Sequence, residues 1–298
     1  MKISDKIREK QAQGKPVFSF EFFPPKTDKG EAKLFKTIEE LKPLNPDFIS
    51  VTYGAGGSTR TKTIDWVDRI KNEIGIEAMA HFTCVGAGRK EIAQTLMELE
   101  KRGIENILAL RGDPPKGETE FTPPSDGFAY ANELVEFIKS EGRNFAIGVA
   151  GYPESHLDAP DLDADILNLK RKVQAGGEFV ITQLFFDNTH YFDFVRKLND
   201  SGDWDTPVIP GIMPLTAKNQ VEKFAEMCGA YTPDDLKNSI ENAASDEEDA
   251  EIGLEHAKNQ CVELLKKGAP GIHFYTLNKS PATRDILAYV RNELGLTS

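Results

Sequence analysis

The stretch FAIGVAGYPESHLDAPDLDADILNLKRKVQAGGEFVITQLFF (145–186) contains the unit from which the rest of the chain is built. It begins with an apolar run, continues through an amphipathic pattern over 163–175 and returns to an apolar run over 179–186. Apolar runs without alternation are typical of parallel strands that are covered on both faces. The amphipathic pattern between them has the period of a helix. The stretch therefore predicts a strand–helix–strand unit.

The same alternation continues in both directions along the chain. Each apolar run is followed by an amphipathic segment, and the last segment is opened by Ser280-Pro281, a helix-start signal with proline in the first turn. The runs that predict strands are 17–23, 47–54, 78–86, 106–112, 145–153, 179–186, 207–214 and 271–277. The segments that predict the other helices are 30–42, 61–74, 89–102, 129–141, 163–175, 189–199 and 217–228.

Eight strand–helix units in a chain of 298 residues favour a (β/α)8 TIM barrel, with a doubly wound sheet as the alternative. We expect a single domain over 1–298, with an N-terminal extension at 1–16 and a helical insertion at 231–268 between the seventh and eighth units. The insertion contains the acidic run 246–249, which we interpret as a solvated helix face or a helix start.

Composition and charge exclude several classes of protein. The chain has 36 Lys+Arg against 48 Asp+Glu, a net charge of −12, which argues against nucleic acid as a partner. No apolar run approaches the roughly 18 residues of a membrane span. The start, MKISDKIREKQ, lacks the apolar core of a signal peptide. Cys84, Cys228 and Cys261 lie far apart, which fits a reducing cytoplasm and predicts no metal site.

Polar side chains collect at the carboxyl ends of the predicted strands, where barrel enzymes have their active sites. Gly54–Thr59 could also bring backbone amides close to a phosphate, although it matches no nucleotide motif. Lys170-Arg171-Lys172 is either a solvated helix face or a cationic patch. The polar residues at the strand ends are Glu21, Thr52, Tyr53, His81, Arg111, Asp113, Tyr152, Glu154, His156, Gln183, Asp187, Gln220, Tyr275 and Asn278.

Glu21 lies within the apolar run SFEFF, where burial would raise its pKa toward that of a usable general acid. The alternative is a carboxylate that is salt-bridged to a neighbouring strand inside the barrel. His81 also has two interpretations, because a lone histidine on a strand is more often a hydrogen-bonded core residue than a functional one. Neither GxSxG, a nucleophile motif of hydrolases, nor HExxH, a zinc-site motif, occurs in the chain.

Eight short motifs, which occur in order from residue 17 to the end, resemble the bacterial-type methylenetetrahydrofolate reductase family. The resemblance implies a (β/α)8 barrel with FAD at its C-terminal mouth, without the regulatory domain of eukaryotic members. It implies a homo-oligomer. The motifs are SFEFFPPK (19–26), SVTYGAGGST (50–59), LALRGDPP (108–115), GYPESH (151–156), DILNLKRKVQAG (165–176), ITQLFFD (181–187), PGIMP (210–214) and HFYTLN (273–278).

The resemblance implies a ping-pong reaction. NADH or NADPH would reduce the flavin, and the flavin would then reduce 5,10-methylenetetrahydrofolate to 5-methyltetrahydrofolate, a methyl donor for methionine synthesis. NADH is the better expectation for a bacterial-type chain. The implied partners are these small molecules, with no nucleic acid and no membrane.

The resemblance also assigns roles to individual residues. Glu21 would be the general acid that opens the imidazolidine ring of the folate to a 5-iminium ion, and Asp113 would stabilise that cation. Lys279 stands where the family often has an arginine for the glutamate tail of the folate, so the charge is kept and the bidentate geometry is lost. Further substrate-binding positions are Gln183, Gln220, Phe224 and Tyr275. The FAD-binding positions are Thr52, His81, Leu110, Arg111, Gly112, Tyr130, Ala131, Tyr152, His156, Ala159, Asp165, Asn168, Arg171 and Lys172.

Two alternatives belong to other functional classes. One is a flavin-free barrel that binds folate without catalysis, against which the presence of both Glu21 and Asp113 argues. The other is an aldolase-type lyase with a Schiff-base lysine, which is poorly supported because no lysine falls on the predicted strands.

Overall fold

Parallel strands form one sheet in a computed structural model, which describes residues 1–25, 27–53, 60–113, 122–200 and 202–296. The strand order is β7-β6-β5-β4-β3-β2-β1-β9-β8, and every neighbouring pair is parallel. The strands are β1 (Val17–Phe22), β2 (Phe48–Val51), β3 (Ala78–Thr83), β4 (Asn106–Leu110), β5 (Ala146–Gly151), β6 (Phe179–Thr182), β7 (Val208–Ile209), β8 (Gly211–Ile212) and β9 (Gly271–Tyr275).

The two edges of this sheet are halves of one strand. Only Pro210 separates β7 from β8, so the sheet closes on itself and the predicted eight-stranded barrel is confirmed over the doubly wound alternative. Proline has no backbone N–H and therefore interrupts a strand ladder. The predicted continuous strand at 207–214 is wrong in this detail. The carbonyl of Pro210 nevertheless accepts the His273 N–H at 2.9 Å, which ties the seam to β9.

Helices surround the barrel and follow the predicted segments to within a few residues. One helix ends in a π-helical turn, Arg69–Ile74, instead of continuing as an α-helix. The helices of the eight units are α2 (Asp28–Leu41), α3 (Arg60–Asp68), α4 (Arg89–Lys101), α5 (Ala131–Ser140), α6 (Leu162–Gln174), α7 (Asn188–Asn199), α8 (Lys218–Cys228) and α11 (Pro281–Glu293).

The N-terminal residues form a helix, α1 (Ile3–Ala12), at the end of the barrel where the strands begin. Ile3 and Ile7 are fully buried in a cluster with Val17 and Phe48, the residues at the starts of β1 and β2. Because α1 covers this end, the opposite end, where the strands finish, is the one left for a cavity.

The segment 231–268 holds two helices, α9 (Asp234–Glu241) and α10 (Asp246–Lys266), between α8 and β9. The predicted extra helical segment is therefore confirmed. The acidic run 246–249 is the first turn of α10, and the Ser245 hydroxyl caps it by accepting the Glu248 N–H at 3.3 Å. Acidic side chains favour this position because the helix dipole is positive there.

Candidate active site

A cavity of about 340 Å³ opens at the carboxyl ends of the strands. A volume of this size is within the range of small-molecule sites. The resemblance-based site residues that line it come from the ends of most of the strands and from α8. They are Glu21, Thr52, His81, Leu110, Arg111, Gly112, Asp113, Tyr152, His156, Gln183, Phe224 and Tyr275.

Glu21 lies in the cavity wall, only 4% exposed, with an imidazole on either side. One carboxylate oxygen, Oε2, is 3.2 Å from His273 Nε2 and 3.0 Å from His81 Nε2. The Ser50 hydroxyl donates to the same oxygen at 3.4 Å. The other ring nitrogen of His273, Nδ1, lies 2.7 Å from the Ser19 hydroxyl, which fixes the plane of the ring. β1, β2, β3 and β9 are neighbours in the sheet, and this order brings the five side chains together.

The expectation that apolar flanks raise the pKa of Glu21 is wrong. Burial alone would raise it, but the positive charge of His81 and the hydrogen bond from His273 outweigh burial and lower the pKa from 4.5 to about 2. The salt-bridged interpretation of Glu21 is the one that the structure contains. Because both rings contact one oxygen of Glu21, the three side chains form one coupled buried cluster.

Two buried polar atoms in the cavity wall, Thr52 Oγ1 and Thr83 Oγ1, form no hydrogen bond within the described part of the chain. Buried polar groups without partners are uncommon, because each costs free energy. A ligand with donors and acceptors along one edge, such as a flavin ring, fits this wall because it would complete their hydrogen bonding.

Gly112 lets the chain after β4 pass close to the wall. Its φ is +89°, and a Cβ at this position would lie 2.8 Å from Val85 Cγ1 and 3.0 Å from Thr83 Cβ. Glycine is therefore required here on both counts. Arg111, the preceding residue, pairs with Asp158 at 2.7 Å, and the following residue, Asp113, is exposed at the mouth.

Four of the resemblance-based FAD positions lie on α6 at helical spacing, outside the cavity lining. Lys172 Nζ donates to the Ala150 carbonyl at 2.6 Å, and burial lowers the pKa of this lysine to about 8 although Asp165 opposes the shift. Burial also raises the pKa of Asp165, which accepts the His156 N–H at 3.2 Å. Arg171 is exposed and donates to Asn168 Oδ1 at 2.9 Å.

Tyr152 and His156 connect this helix with the cavity. Their rings pack edge to face with centroids 4.7 Å apart, and the backbone N–H of Ala159 donates to the His156 carbonyl at 2.9 Å. Burial raises the pKa of the Tyr152 hydroxyl. Tyr130 and Ala131 lie at the start of α5, outside the cavity lining, where the Tyr130 side chain is exposed.

The substrate positions implied by the resemblance are less concentrated. The Tyr275 hydroxyl donates to the Thr182 carbonyl at 2.6 Å, and Phe224 is half-buried on α8. Gln183, at the end of β6, accepts the Leu184 N–H at 2.9 Å. The two positions outside the lining are Gln220, whose side chain accepts the Thr216 N–H at 2.8 Å at the start of α8, and the exposed Lys279.

Sequence reasoning missed several cavity residues. His273 is the most important of them. It pairs in register with Ser19 of β1, and its sequence signal was its place on a predicted strand two residues before Tyr275. Thr83 was not singled out, and the same is true of Met227 on α8. The proposed phosphate loop, Gly54–Thr59, lies outside the described residues.

Metal and membrane features are not found in the described ranges. No three His, Cys, Asp or Glu side chains of the described chain are placed to hold a metal ion. Cys84, Cys228 and Cys261 are free thiols. Within those same ranges, no helix combines the length and apolar character that crossing a membrane requires.

Comparison with known proteins identifies the family. The family model described as methylenetetrahydrofolate reductase matches residues 6–291, nearly the whole chain. The chain belongs to the methylenetetrahydrofolate reductase family. It is 40% identical over 271 residues to the 5,10-methylenetetrahydrofolate reductase of Salmonella typhimurium, a match that covers 91% of this chain and 89% of the relative.

Relatives from plants are longer. The chain is 38% identical over 298 residues to methylenetetrahydrofolate reductase (NADH) 1 of Arabidopsis thaliana, with 96% of the chain covered but 50% of the relative. It thus spans about half the length of the plant members of the methylenetetrahydrofolate reductase family that it matches.

A solved structure supports the fold. A Clostridium thermocellum protein that binds two copies of 5-methyl-5,6,7,8-tetrahydrofolic acid aligns with a TM-score of 0.68, over 98% of this chain and 99% of that chain. At 16% identity the likeness concerns the barrel architecture of the reductase family and nothing finer.

Proposed function

We propose that the chain reduces 5,10-methylenetetrahydrofolate to 5-methyltetrahydrofolate with FAD as cofactor and NADH or NADPH as reductant, in a ping-pong reaction. Membership in the methylenetetrahydrofolate reductase family supports the reaction, and the word NADH in the names of the plant relatives supports the reductant. The observation that carries the proposal is the buried cluster of Glu21, His81 and His273 in the wall of the cavity.

The cavity and α6 offer a binding site for FAD. Thr52 and Thr83 would complete their hydrogen bonds on the polar edge of the ring, and His81 would line the same wall. The Arg171 guanidinium and the Lys172 ammonium would offset the charge of the diphosphate in a chain with net charge −12. FAD held there would supply the hydride-transfer chemistry between the nicotinamide and the one-carbon unit of the folate.

The buried cluster would supply the proton that opens the imidazolidine ring of the folate. Oε2 of Glu21 lies 3.0 Å from His81 Nε2 and 3.2 Å from His273 Nε2, so a proton could be shared between the carboxyl and either ring. Burial favours the neutral carboxyl of Glu21 and the two rings favour its carboxylate, so the three groups together would decide where the proton lies. The cluster would in this way hold a proton in the cavity wall without an unpaired buried charge.

The remaining residues would orient the substrate and stabilise charge. Asp113 lies at the mouth, where its carboxylate would stabilise the 5-iminium cation. Gln183 and Phe224 line the side of the cavity opposite the β2 and β3 ends and would contact the pterin in turn with the nicotinamide. Holding two flat ligands successively at one site is what a ping-pong reaction requires of the protein.

An absorption spectrum of the purified protein, before and after anaerobic NADH, tests the proposal. Flavin absorbance that NADH bleaches and methylenetetrahydrofolate restores is the expected result. A colourless protein that takes up no added FAD would refute the flavin mechanism, and folate binding by that protein would favour the flavin-free alternative.

A further inference from the structure

Helix α10 of the 231–268 insertion lies against two loops at the mouth of the barrel. Gly253, His256 and Gln260 are spaced so that they share one face of this helix. That face meets the segment 185–188, which follows β6, and Leu215, which follows β8. The barrel closes without this helix, so these contacts require a separate explanation.

Side chains of α10 hold the backbone of the segment 185–188 at successive residues. His256 Nε2 lies 2.9 Å from the Phe186 carbonyl, and Gln260 Nε2 donates to the Phe185 carbonyl at 3.0 Å. A carbonyl only accepts, so Nε2 of His256 carries the proton. In return, Asn188 Nδ2 donates to the Gln260 carbonyl at 3.1 Å. The loop that follows the cavity residues Gln183 and Leu184 is thereby fixed through its main chain.

The contact with Leu215 is made by close packing. A Cβ at Gly253 would lie 2.6 Å from the Leu215 carbonyl oxygen and 2.7 Å from its Cβ, so only glycine allows this approach. Leu215 belongs to an apolar cluster with Leu184 and Met213, which both line the cavity. Leu236 and Ile240 of α9 belong to the same cluster.

We propose that the 231–268 insertion positions the substrate side of the cavity, with His256, Gln260 and Gly253 as positioning residues that act through the main chain at 185–188 and at Leu215. The inference rests on the proposed function. It assigns the insertion to the folate half of the reaction, because its contacts lead to Gln183, Leu184 and Met213. The resemblance-based flavin positions lie elsewhere, at the ends of β2–β5, at the start of α5, and on α6 and the loop before it.

The loss of one buried donor leaves a carbonyl without a partner, which shifts an equilibrium by about tenfold. His256→Leu and Gln260→Leu are therefore each expected to raise the KM for methylenetetrahydrofolate by about tenfold. His256→Gln is expected to restore the KM, because its Nε2 can donate to the same carbonyl. Gly253→Ala is expected to raise the KM by displacing Leu215.

The matched control is Leu264→Ala on the same helix. Leu264 is fully buried in the main core and lies outside the apolar cluster of Leu184, Met213 and Leu215. Its truncation is expected to lower the Tm while leaving the KM for folate near that of the parent protein. In every variant, flavin reduction by NADH is expected to stay within about twofold of the parent rate, because the contacts lead to the folate side of the cavity. A loss of folded protein would instead lower the rates of both half-reactions.

Both half-reactions are measured in stopped flow on FAD-loaded, full-length protein, with the parent protein first. If the parent does not turn over methylenetetrahydrofolate, the proposed function fails. If the parent turns it over and the His256 and Gln260 variants keep its KM, the positioning role fails. An equal KM increase in Leu264→Ala, or no rescue by His256→Gln, would also overturn it.

Discussion

Replacing Glu21 with glutamine tests the buried cluster most directly. Lowering the pKa of a carboxyl from 4.5 to about 2 corresponds to about 3 kcal/mol in favour of the ionised form. Because the pKa is lowered by folding, this stability is present above the unfolded-state pKa and disappears as the pH falls through the folded-state pKa. By this linkage, the parent should exceed Glu21→Gln in stability by up to about 3 kcal/mol at pH 6 and by about 1 kcal/mol at pH 3.

The catalytic effect of the same substitution should be confined to one half-reaction. Glutamine fills the space and keeps a hydrogen-bond acceptor, but it cannot take up the proton that the cluster must pass on. Folate reduction should fall by at least about 10²-fold, the typical contribution of a general acid. Reduction of the flavin by NADH needs no proton from this cluster and should be nearly unchanged.

The two measurements are urea unfolding at pH 6 and pH 3 and rapid-mixing kinetics of each half-reaction. Ser50→Ala is a suitable control, because it removes only the weak 3.4 Å hydrogen bond to Glu21 and leaves both imidazoles in place. Equal losses in both half-reactions would mean that Glu21 is structural or contacts the flavin. A stability difference that does not change between the two pH values would refute the ion-pair reasoning.

Three further predictions concern the rest of the site. Asp113→Asn should slow folate reduction by about 10²-fold and raise the reduction potential of the flavin, because a nearby negative charge opposes the anionic reduced flavin. An unchanged potential in spectroelectrochemistry would mean that the carboxylate is too distant from the flavin. The affinity for FAD should fall by about tenfold from pH 7 to pH 9, because the pKa of Lys172 is about 8 and its charge is lost above that pH. Fluorescence titration should show that the affinity of Lys172→Met for FAD depends less steeply on pH. Gly211→Ala should destabilise the protein by at least about 2 kcal/mol in urea unfolding, since the added Cβ would collide with the Thr182 carbonyl and the Tyr275 ring. An unchanged stability would show that the backbone around Gly211 can move to accommodate the Cβ.

The barrel could be predicted because each strand is a continuous apolar run bounded by an amphipathic helix, a local pattern that a single sequence displays. The break at Pro210 could not be placed within its run, because a proline in an apolar stretch can also end a strand. The role of α1 was missed for a different reason. Ile3 and Ile7 are isolated in a polar stretch, and their burial follows from packing against the end of the barrel where the strands begin.

The candidate site shows where sequence reasoning stops. The residues at the strand ends were found because the barrel places them at one mouth. The pKa of Glu21 was predicted in the wrong direction, because its partners His81 and His273 are 60 and 252 residues away and only barrel closure brings them together. The residues that flank Glu21 in the sequence indicate that it is buried, but its charge state depends on residues that are distant in the sequence.

The seam at Pro210 has a consequence for hydrogen–deuterium exchange. β7 and β8 each contribute a two-residue ladder, so this is where the barrel wall should open first by local unfolding. The His273 amide is bonded across this seam to the Pro210 carbonyl, while its ring holds Glu21. Deuterium uptake at His273 should therefore report opening of the wall beside Glu21 and its two histidines, and a ligand that bridges the two sides of the seam should slow it.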